Sequence, residues 1–261
     1  VPVVVVDDPR AAMGEVAADV YGRPAETMEL FGITGTNGKT STMFLLEAAL
    51  GALGRRVGTI GTIGFRVAGT AVETPRGTIT TPDAPDLQGM LGYMAEAGVD
   101  AVAMEVSSHA LALHRVNGLV FDVAAFTMLG QDHLEFHSTL EEYFAAKSRL
   151  FLAGRARVAV INADDPWGRG LLALIRDDGR ARVVTTGTDT PDADYRVLDW
   201  TTGADGTSAV RLATPVGELA YSISMLGDFN VRNSATALAM VGSAGLDVAA
   251  AATGLASAQV P

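Results

Sequence analysis

At 261 residues, 48% hydrophobic and 19% charged, the chain has the composition of a globular protein long enough to bury an ample core. The absence of cysteine excludes disulfide scaffolds, thiolate metal sites and cysteine nucleophiles, no apolar run reaches the roughly 18–20 residues of a membrane span, and no basic segment followed by an apolar one opens the chain as a signal peptide would. A net charge of −11 argues against extensive nucleic-acid contact, which needs clustered Lys and Arg, but is compatible with a compact phosphate site built from backbone amides and one cation.

Residues Val3 to Val6 are a short β-branched run; Asp8-Pro9 and the Ala-rich stretch from Arg10 to Tyr21 read as a helix, and Gly22 to Glu26 as a linker. Met28–Ile33 predicts a strand, followed by a Gly-rich turn and an amphipathic helix over Thr40–Leu53. Buried-strand patterns follow at Arg56–Ile60, Ala101–Val106, Val120–Phe126, Val158–Ile161 and Val183–Thr186, with helical patterns at Ala84–Ala97, Leu140–Phe151 and Pro166–Ile175 between most of them. This alternation predicts an α/β fold, a P-loop-type, mostly parallel sheet flanked by helices on both faces. After Thr188 the short alternating segments Tyr195–Trp200, Thr207–Ala213 and Glu218–Ser224, separated by turns such as Asp205-Gly206, predict a small antiparallel β meander added to that sheet. Helix returns over Asn230–Ala244 and Asp247–Ser257, and no internal repeat is present.

Of the nineteen basic residues seventeen are Arg and two are Lys, Lys39 and Lys147. In a sequence that uses Arg wherever charge alone is needed, two surviving lysines suggest positions that require an amine rather than a guanidinium. Lys39 stands in the string Thr34-Gly35-Thr36-Asn37-Gly38-Lys39-Thr40-Ser41, directly after the strand Met28–Ile33 and before a helix. Glycines let backbone amides approach phosphates, the helix N-terminus adds positive potential, Lys39 can reach the β- and γ-phosphates, and the Thr40 hydroxyl can ligate Mg²⁺. The spacing departs from the general Walker pattern, because the residue five before Gly38 is Ile33 and not glycine. Gly35, Thr36, Asn37, Gly38, Lys39, Thr40 and Ser41 are therefore the candidate ATP-binding loop.

Gly35-Thr36-Asn37-Gly38-Lys39-Thr40 resembles the Mur ligases, ATP-dependent enzymes that add amino acids to the peptidoglycan precursor. Thr80-Thr81-Pro82 with Asp86-Leu87-Gln88, and Met104-Glu105-Val106-Ser107-Ser108-His109-Ala110-Leu111 running to His114-Arg115-Val116, resemble the MurE type in particular. Phe126-Thr127, Asp132-His133-Leu134, Ala145-Ala146-Lys147, Asn162-Ala163-Asp164-Asp165 and Gly227-Asp228-Phe229-Asn230-Val231-Arg232-Asn233 extend the series in order over nearly the whole chain.

The resemblance implies a ligase that adds the third amino acid to UDP-N-acetylmuramoyl-dipeptide: the terminal carboxylate attacks the γ-phosphate of ATP, and the amine of a free amino acid displaces phosphate from the resulting acyl phosphate. Bringing anions together calls for cations more than for a nucleophile. By the same resemblance Glu105, at the carboxyl end of an apolar strand, ligates a first Mg²⁺ with Thr40; His133 ligates a second; and Lys147 is carbamylated by CO₂ or bicarbonate to give an anionic oxygen ligand. A carbamate needs a neutral amine, so the site must depress the Lys147 pKa, and Arg cannot substitute. Lys39, Glu105, His133 and Lys147 are thus the candidate catalytic residues. Thr80, Thr81, Ser107 and Arg115 match positions that hold the muramoyl peptide, and Asn230 and Asn233, three apart on one helix face, lie beside the nucleotide. His137 reads as loop support, and His109 as ordering the Ser-Ser turn.

Three residues depart from the family's pattern. Leu113 stands where some members have Gln, Met128 replaces a side-chain amide near the phosphates, and Gln131 replaces a residue that is often charged. Residues 1–27 are expected to be the remnant of an N-terminal UDP-binding domain and linker, and 28–261 the central ATP-binding domain, with the C-terminal domain absent. A cytoplasmic monomer with no nucleic-acid or membrane partner is the expectation. Two alternatives stand beside it: a Mur-like ligase of another peptide pathway, and a nucleotide-binding paralogue without catalysis.

Overall fold

The computed structural model describes residues 3, 5–74, 77, 79–132 and 136–259. Its frame is one eleven-stranded sheet with helices on both faces. In chain order the elements are α1 (Pro9–Val20), β1 (Glu29–Thr34), α2 (Lys39–Ala52), β2 (Val57–Gly61), β3 (Gly64–Val67), β4 (Thr70–Val72), α3 (Ala84–Glu96), β5 (Ala101–Glu105), α4 (Ser108–Ala112) and β6 (Phe121–Phe126). Then come α5 (Leu140–Ser148), β7 (Ala156–Asn162), α6 (Pro166–Asp178), β8 (Arg182–Gly187), β9 (Tyr195–Thr202), β10 (Ser208–Thr214), β11 (Gly217–Ile223), α7 (Asp228–Ser243) and α8 (Val248–Ala252).

The strands lie in the order β11-β10-β9-β8-β7-β6-β1-β5-β2-β3-β4. From β2 through β8 every neighbouring pair is parallel, and β1 sits between β5 and β6. Because successive side chains alternate faces, Phe31, Ile33, Ala103 and Val123 enter a core with α2, α7 and α8. Leu30, Met104, Ala124 and Phe126 enter a second core with α3, α5 and α6 on the opposite face. Burial on both sides explains why these strands read as continuous apolar runs. Local chemistry fixes the helix ends: in α6 Asp165 accepts from the amides of Trp167 and Gly168, Pro166 opens the first turn, and Gly179 closes it at φ +67°.

The predicted meander is present as β9, β10 and β11, paired antiparallel. β9 is parallel to β8 but pairs with it only at Thr186↔Tyr195 and Gly187↔Arg196. It starts where β8 ends, so the short link between them replaces the long crossover that full parallel pairing requires. Several elements differ from the sequence expectation. A β2–β3–β4 antiparallel ribbon extends the far edge, where no strand beyond Ile60 was expected. The segment read as a linker contains a 3₁₀ turn at Pro24–Thr27. The helix expected to reach Phe151 ends at Ser148, with Leu150 and Phe151 buried in the turns that follow. The last helix divides into α8 and a 3₁₀ turn at Leu255–Ser257, separated by Gly254, which lies against the backbone of Ala48 with no space for a Cβ.

Candidate active site

β1 runs into Gly35–Gly38 and from there into α2, so the candidate phosphate loop sits at the carboxyl end of the central strand, where open α/β sheets place their ligands. Gly35 has φ +148° and Gly38 φ +87°. A Cβ on Gly38 would also lie 2.6 Å from Asn233 Oδ1. Gly38 is the residue before α2 and brings no side chain to its first-turn amides, which leaves them directed outward. The loop is clasped from β6 through backbone and hydroxyl groups. The Thr36 amide donates to the Met128 carbonyl at 2.8 Å, the Gly130 amide to Thr36 Oγ1 at 2.9 Å, and Thr127 Oγ1 to the Asn37 carbonyl at 2.6 Å. Met128 thus holds the loop by its carbonyl, a role that does not depend on its side chain, and Gln131 is exposed.

Both lysines come to this loop. Lys39 Nζ donates to the carbonyls of Gly35 (3.0 Å) and Thr36 (2.9 Å). Burial holds its amine below the ordinary lysine range, with Glu105 and then Asp132 opposing. Lys147, 1% exposed, donates from Nζ to the Gly35 carbonyl at 2.8 Å and lies 4.4 Å from the centre of the Tyr143 ring. Burial, and secondarily the charge of Lys39, push its amine well below the usual value.

Glu105, at the end of β5, is fully buried and accepts three hydrogen bonds. Thr40 Oγ1 (2.8 Å) and the Thr62 amide (3.0 Å) donate to Oε1, and Thr62 Oγ1 donates to Oε2 at 3.1 Å. An alcohol and a carboxylate oxygen side by side at the N-terminus of α2 are the donor set that Mg²⁺ takes alongside phosphate, so these residues fit a nucleotide-bound magnesium. His133 lies outside the described residues. Among the described residues no group of three His, Asp or Glu could hold a metal, which leaves Lys147 as the described member of the expected second site.

The candidate substrate residues form one connected patch beside Glu105. Thr81 Oγ1 donates to the Glu105 carbonyl at 2.9 Å and accepts from the Ser107 amide at 3.0 Å. Arg115 Nη1 donates to the Thr81 carbonyl at 2.9 Å, and its Nε is 2.8 Å from Asp83 Oδ1. Thr80 Oγ1 is 3.1 Å from Thr62 Oγ1. A cavity of about 420 Å³, lined by Arg10, Asp83, Asp86, Leu113, His114 and Arg115, opens next to the patch. In the first turns of α7 Asn233 Nδ2 donates to Asn230 Oδ1 at 3.1 Å, and Asn230 Nδ2 to the Leu226 carbonyl at 2.7 Å, so the pair shares a face of α7 as expected.

The turn after β5 carries its own cap. Ser107 caps α4 by accepting from the Ala110 amide at 3.1 Å, and His109 packs its ring 4.0 Å from Phe136. Next to Phe136 the buried His137 lies against Tyr143, centroid to centroid 5.2 Å, and the Tyr143 hydroxyl is 3.3 Å from Thr36 Oγ1. His137 therefore supports the loop through Tyr143. Two residues of the site, Thr62 and Tyr143, were not among the sequence candidates. Tyr143 was findable by its position one helical turn before Lys147; Thr62 carries no local signal.

Compared with known proteins, residues 33–241 match the model of the Mur ligase middle domain. The chain belongs to the Mur ligase family. The chain is 44% identical over 256 residues to the UDP-N-acetylmuramoyl-L-alanyl-D-glutamate--2,6-diaminopimelate ligase of Streptomyces avermitilis, covering 98% of this chain and 49% of that protein. A solved UDP-N-acetylmuramoyl-L-alanyl-D-glutamate--2,6-diaminopimelate ligase superposes with a TM-score of 0.89 at 30% identity, over 99% of this chain and 52% of that one. A Mycobacterium tuberculosis folylpolyglutamate synthase solved with ADP and AMPPCP shares the fold, with a TM-score of 0.80 at 20% identity over 97% of this chain and 64% of that one. The chain spans about half the length of the curated relatives it matches. No helix among the described residues is long and apolar enough to cross a membrane.

Proposed function

We propose that this chain is the nucleotide-binding part of an ATP-dependent ligase that adds the third amino acid to UDP-N-acetylmuramoyl-dipeptide in peptidoglycan synthesis, with residues 28–261 as its central domain and 1–27 as the end of the domain before it. The observation that carries the reading is the Thr40–Glu105 pair, 2.8 Å apart at the head of α2, with the Thr81–Ser107–Arg115 patch hydrogen-bonded to the same strand end. The residues read here as holding nucleotide and acceptor thus meet at one residue, Thr40 on the Glu105 carboxylate and Thr81 on its backbone carbonyl, which supports joining a carboxylate to a phosphoryl group.

In this reading the amides of Gly35–Ser41 and the Lys39 ammonium hold the phosphates of ATP, Thr40 and Glu105 hold Mg²⁺, and Asn230 and Asn233 line the nucleotide side. Thr80, Thr81, Ser107 and Arg115 orient the muramoyl peptide so that its carboxylate approaches in line. Lys147 serves as the carbamate-forming amine, with His133 as its companion at a second Mg²⁺; its burial and the neighbouring Lys39 charge favour the neutral form that capture of CO₂ needs. The names of the relatives point to 2,6-diaminopimelate as the incoming amino acid, and a cytoplasmic monomer accords with an enzyme of ATP and nucleotide-linked substrates.

The test is phosphate release by the full-length protein supplied with ATP, Mg²⁺, UDP-N-acetylmuramoyl-L-alanyl-D-glutamate and diaminopimelate. Release is expected only when all are present and to rise with bicarbonate. ATP bound without release in the presence of diaminopimelate or lysine would sink the reading.

A further inference from the structure

Thr62 occupies the two-residue turn between β2 and β3, with Gly61 and Gly64 paired across it. From that tip it reaches both oxygens of Glu105, through its amide to Oε1 at 3.0 Å and through its hydroxyl to Oε2 at 3.1 Å. Gly61 is packed so closely on the carboxylate that a Cβ there would collide with Oε1. The hairpin tip is therefore seated around Glu105. The Thr62 hydroxyl also lies 3.1 Å from Thr80 Oγ1, on the acceptor side.

A hydroxyl carries one proton, and a carboxylate only accepts. With the Thr62 proton committed to Glu105 Oε2, the contact to Thr80 is made by the Thr80 proton. Thr80 is then left to meet its ligand with lone pairs. The order Thr80→Thr62→Glu105←Thr40 runs without a break from the peptide patch to the head of α2. A ligand group that donates to Thr80 reinforces every bond in such a chain.

We propose that Thr62 is a positioning residue that fixes the Glu105 carboxylate for Mg²⁺ and couples acceptor binding at Thr80 to metal-nucleotide binding at Thr40 and Glu105. The proposal rests on the ligase reading for the identity of the acceptor, but not for the clasp itself.

The test compares the full-length protein with its Thr62→Val and Thr62→Ser variants by calorimetric titration with a non-hydrolysable ATP analogue. It is run over a Mg²⁺ series, with and without UDP-N-acetylmuramoyl-L-alanyl-D-glutamate. Thr62→Val should raise the Mg²⁺ concentration for half-maximal nucleotide binding about tenfold, the weight of one hydrogen bond to a charged group, and Thr62→Ser should restore it. In the wild type the muramoyl dipeptide should tighten nucleotide binding about fivefold or more, and Thr62→Val should abolish that gain. Unfolding midpoints unchanged among the three confirm that the fold is intact. A Mg²⁺ requirement unmoved by Thr62→Val overturns the clasp, and a dipeptide that binds without tightening the nucleotide overturns the coupling. A dipeptide that gives no heat in the wild type overturns the ligase reading and the coupling together, while the Mg²⁺ series still decides the clasp.

Discussion

Lys39 and Lys147, the two lysines of the chain, aim their Nζ atoms at one acceptor, the carbonyl oxygen of Gly35, at 3.0 and 2.8 Å. Two ammonium groups at one oxygen repel each other, so the pair is best satisfied when one of them is neutral. Lys147, enclosed at 1% exposure, is the one that burial drives toward the free amine.

That arrangement gives stability a pH dependence of definite sign. The folded-state pKa of Lys147 is lowered, so the unfolded chain binds this proton more tightly than the folded one. Stability from this group therefore rises with pH, between the lowered folded value and the ordinary lysine value of about 10.4, with a slope of at most about 1.4 kcal/mol per pH unit. Lys147→Met removes the titration and keeps the bulk. In CO₂-free buffer the stability of the wild type relative to the Met variant should rise from pH 7 to pH 10, as read by denaturant unfolding. A constant gap would count against a neutral lysine.

Lys147→Arg tests the chemical role rather than the charge. A guanidinium stays protonated and cannot take up CO₂. In the full-length protein turnover should fall by about 10²–10³, the size of a lost charge-stabilising group, while nucleotide binding persists. Retained turnover with retained bicarbonate dependence would reject the carbamate role.

Gly38→Ala addresses the loop. The new methyl would stand 2.6 Å from Asn233 Oδ1 on a backbone with φ +87°. A loss of about 1–3 kcal/mol of stability is expected from the strained backbone, together with weakened ATP binding, by unfolding and by calorimetry.

Thr81→Val removes a buried hydroxyl that serves the Glu105 carbonyl and the Ser107 amide at once. Leaving both without it should cost about 1–3 kcal/mol, and Thr81→Ser should recover most of that. Equal stability of the Val and Ser variants would show that the Thr81 hydroxyl does not hold this strand end.

What could be read from the sequence follows from how local each cause is. The strand–turn–helix of the candidate phosphate loop was legible because strand, Gly35, Gly38, Lys39 and helix are contiguous, and the parallel strands because burial on both faces leaves an unbroken apolar run. Thr62 was not, because its partner Glu105 is brought to it only by the pairing of β2 with β5. The β3–β4 ribbon was missed because Gly64–Val72 is short and lies at the sheet edge, where one-sided burial weakens the apolar signal. Gly254 divides the last helix for a tertiary reason, the backbone of Ala48 pressed against it.

The central placement of β1 also bears on how the molecule comes into being. Residue 29 pairs with residue 101 and residue 31 with residue 123, so the strand that launches the candidate phosphate loop finds both its neighbours only after long stretches of chain have been synthesised. Loop closure over such distances is slow relative to local helix formation. On a ribosome β1 would emerge before β5 and β6 and wait for them, apolar and unpaired. Nascent-chain folding, rather than final stability, is then where mutations in β1 should first be felt.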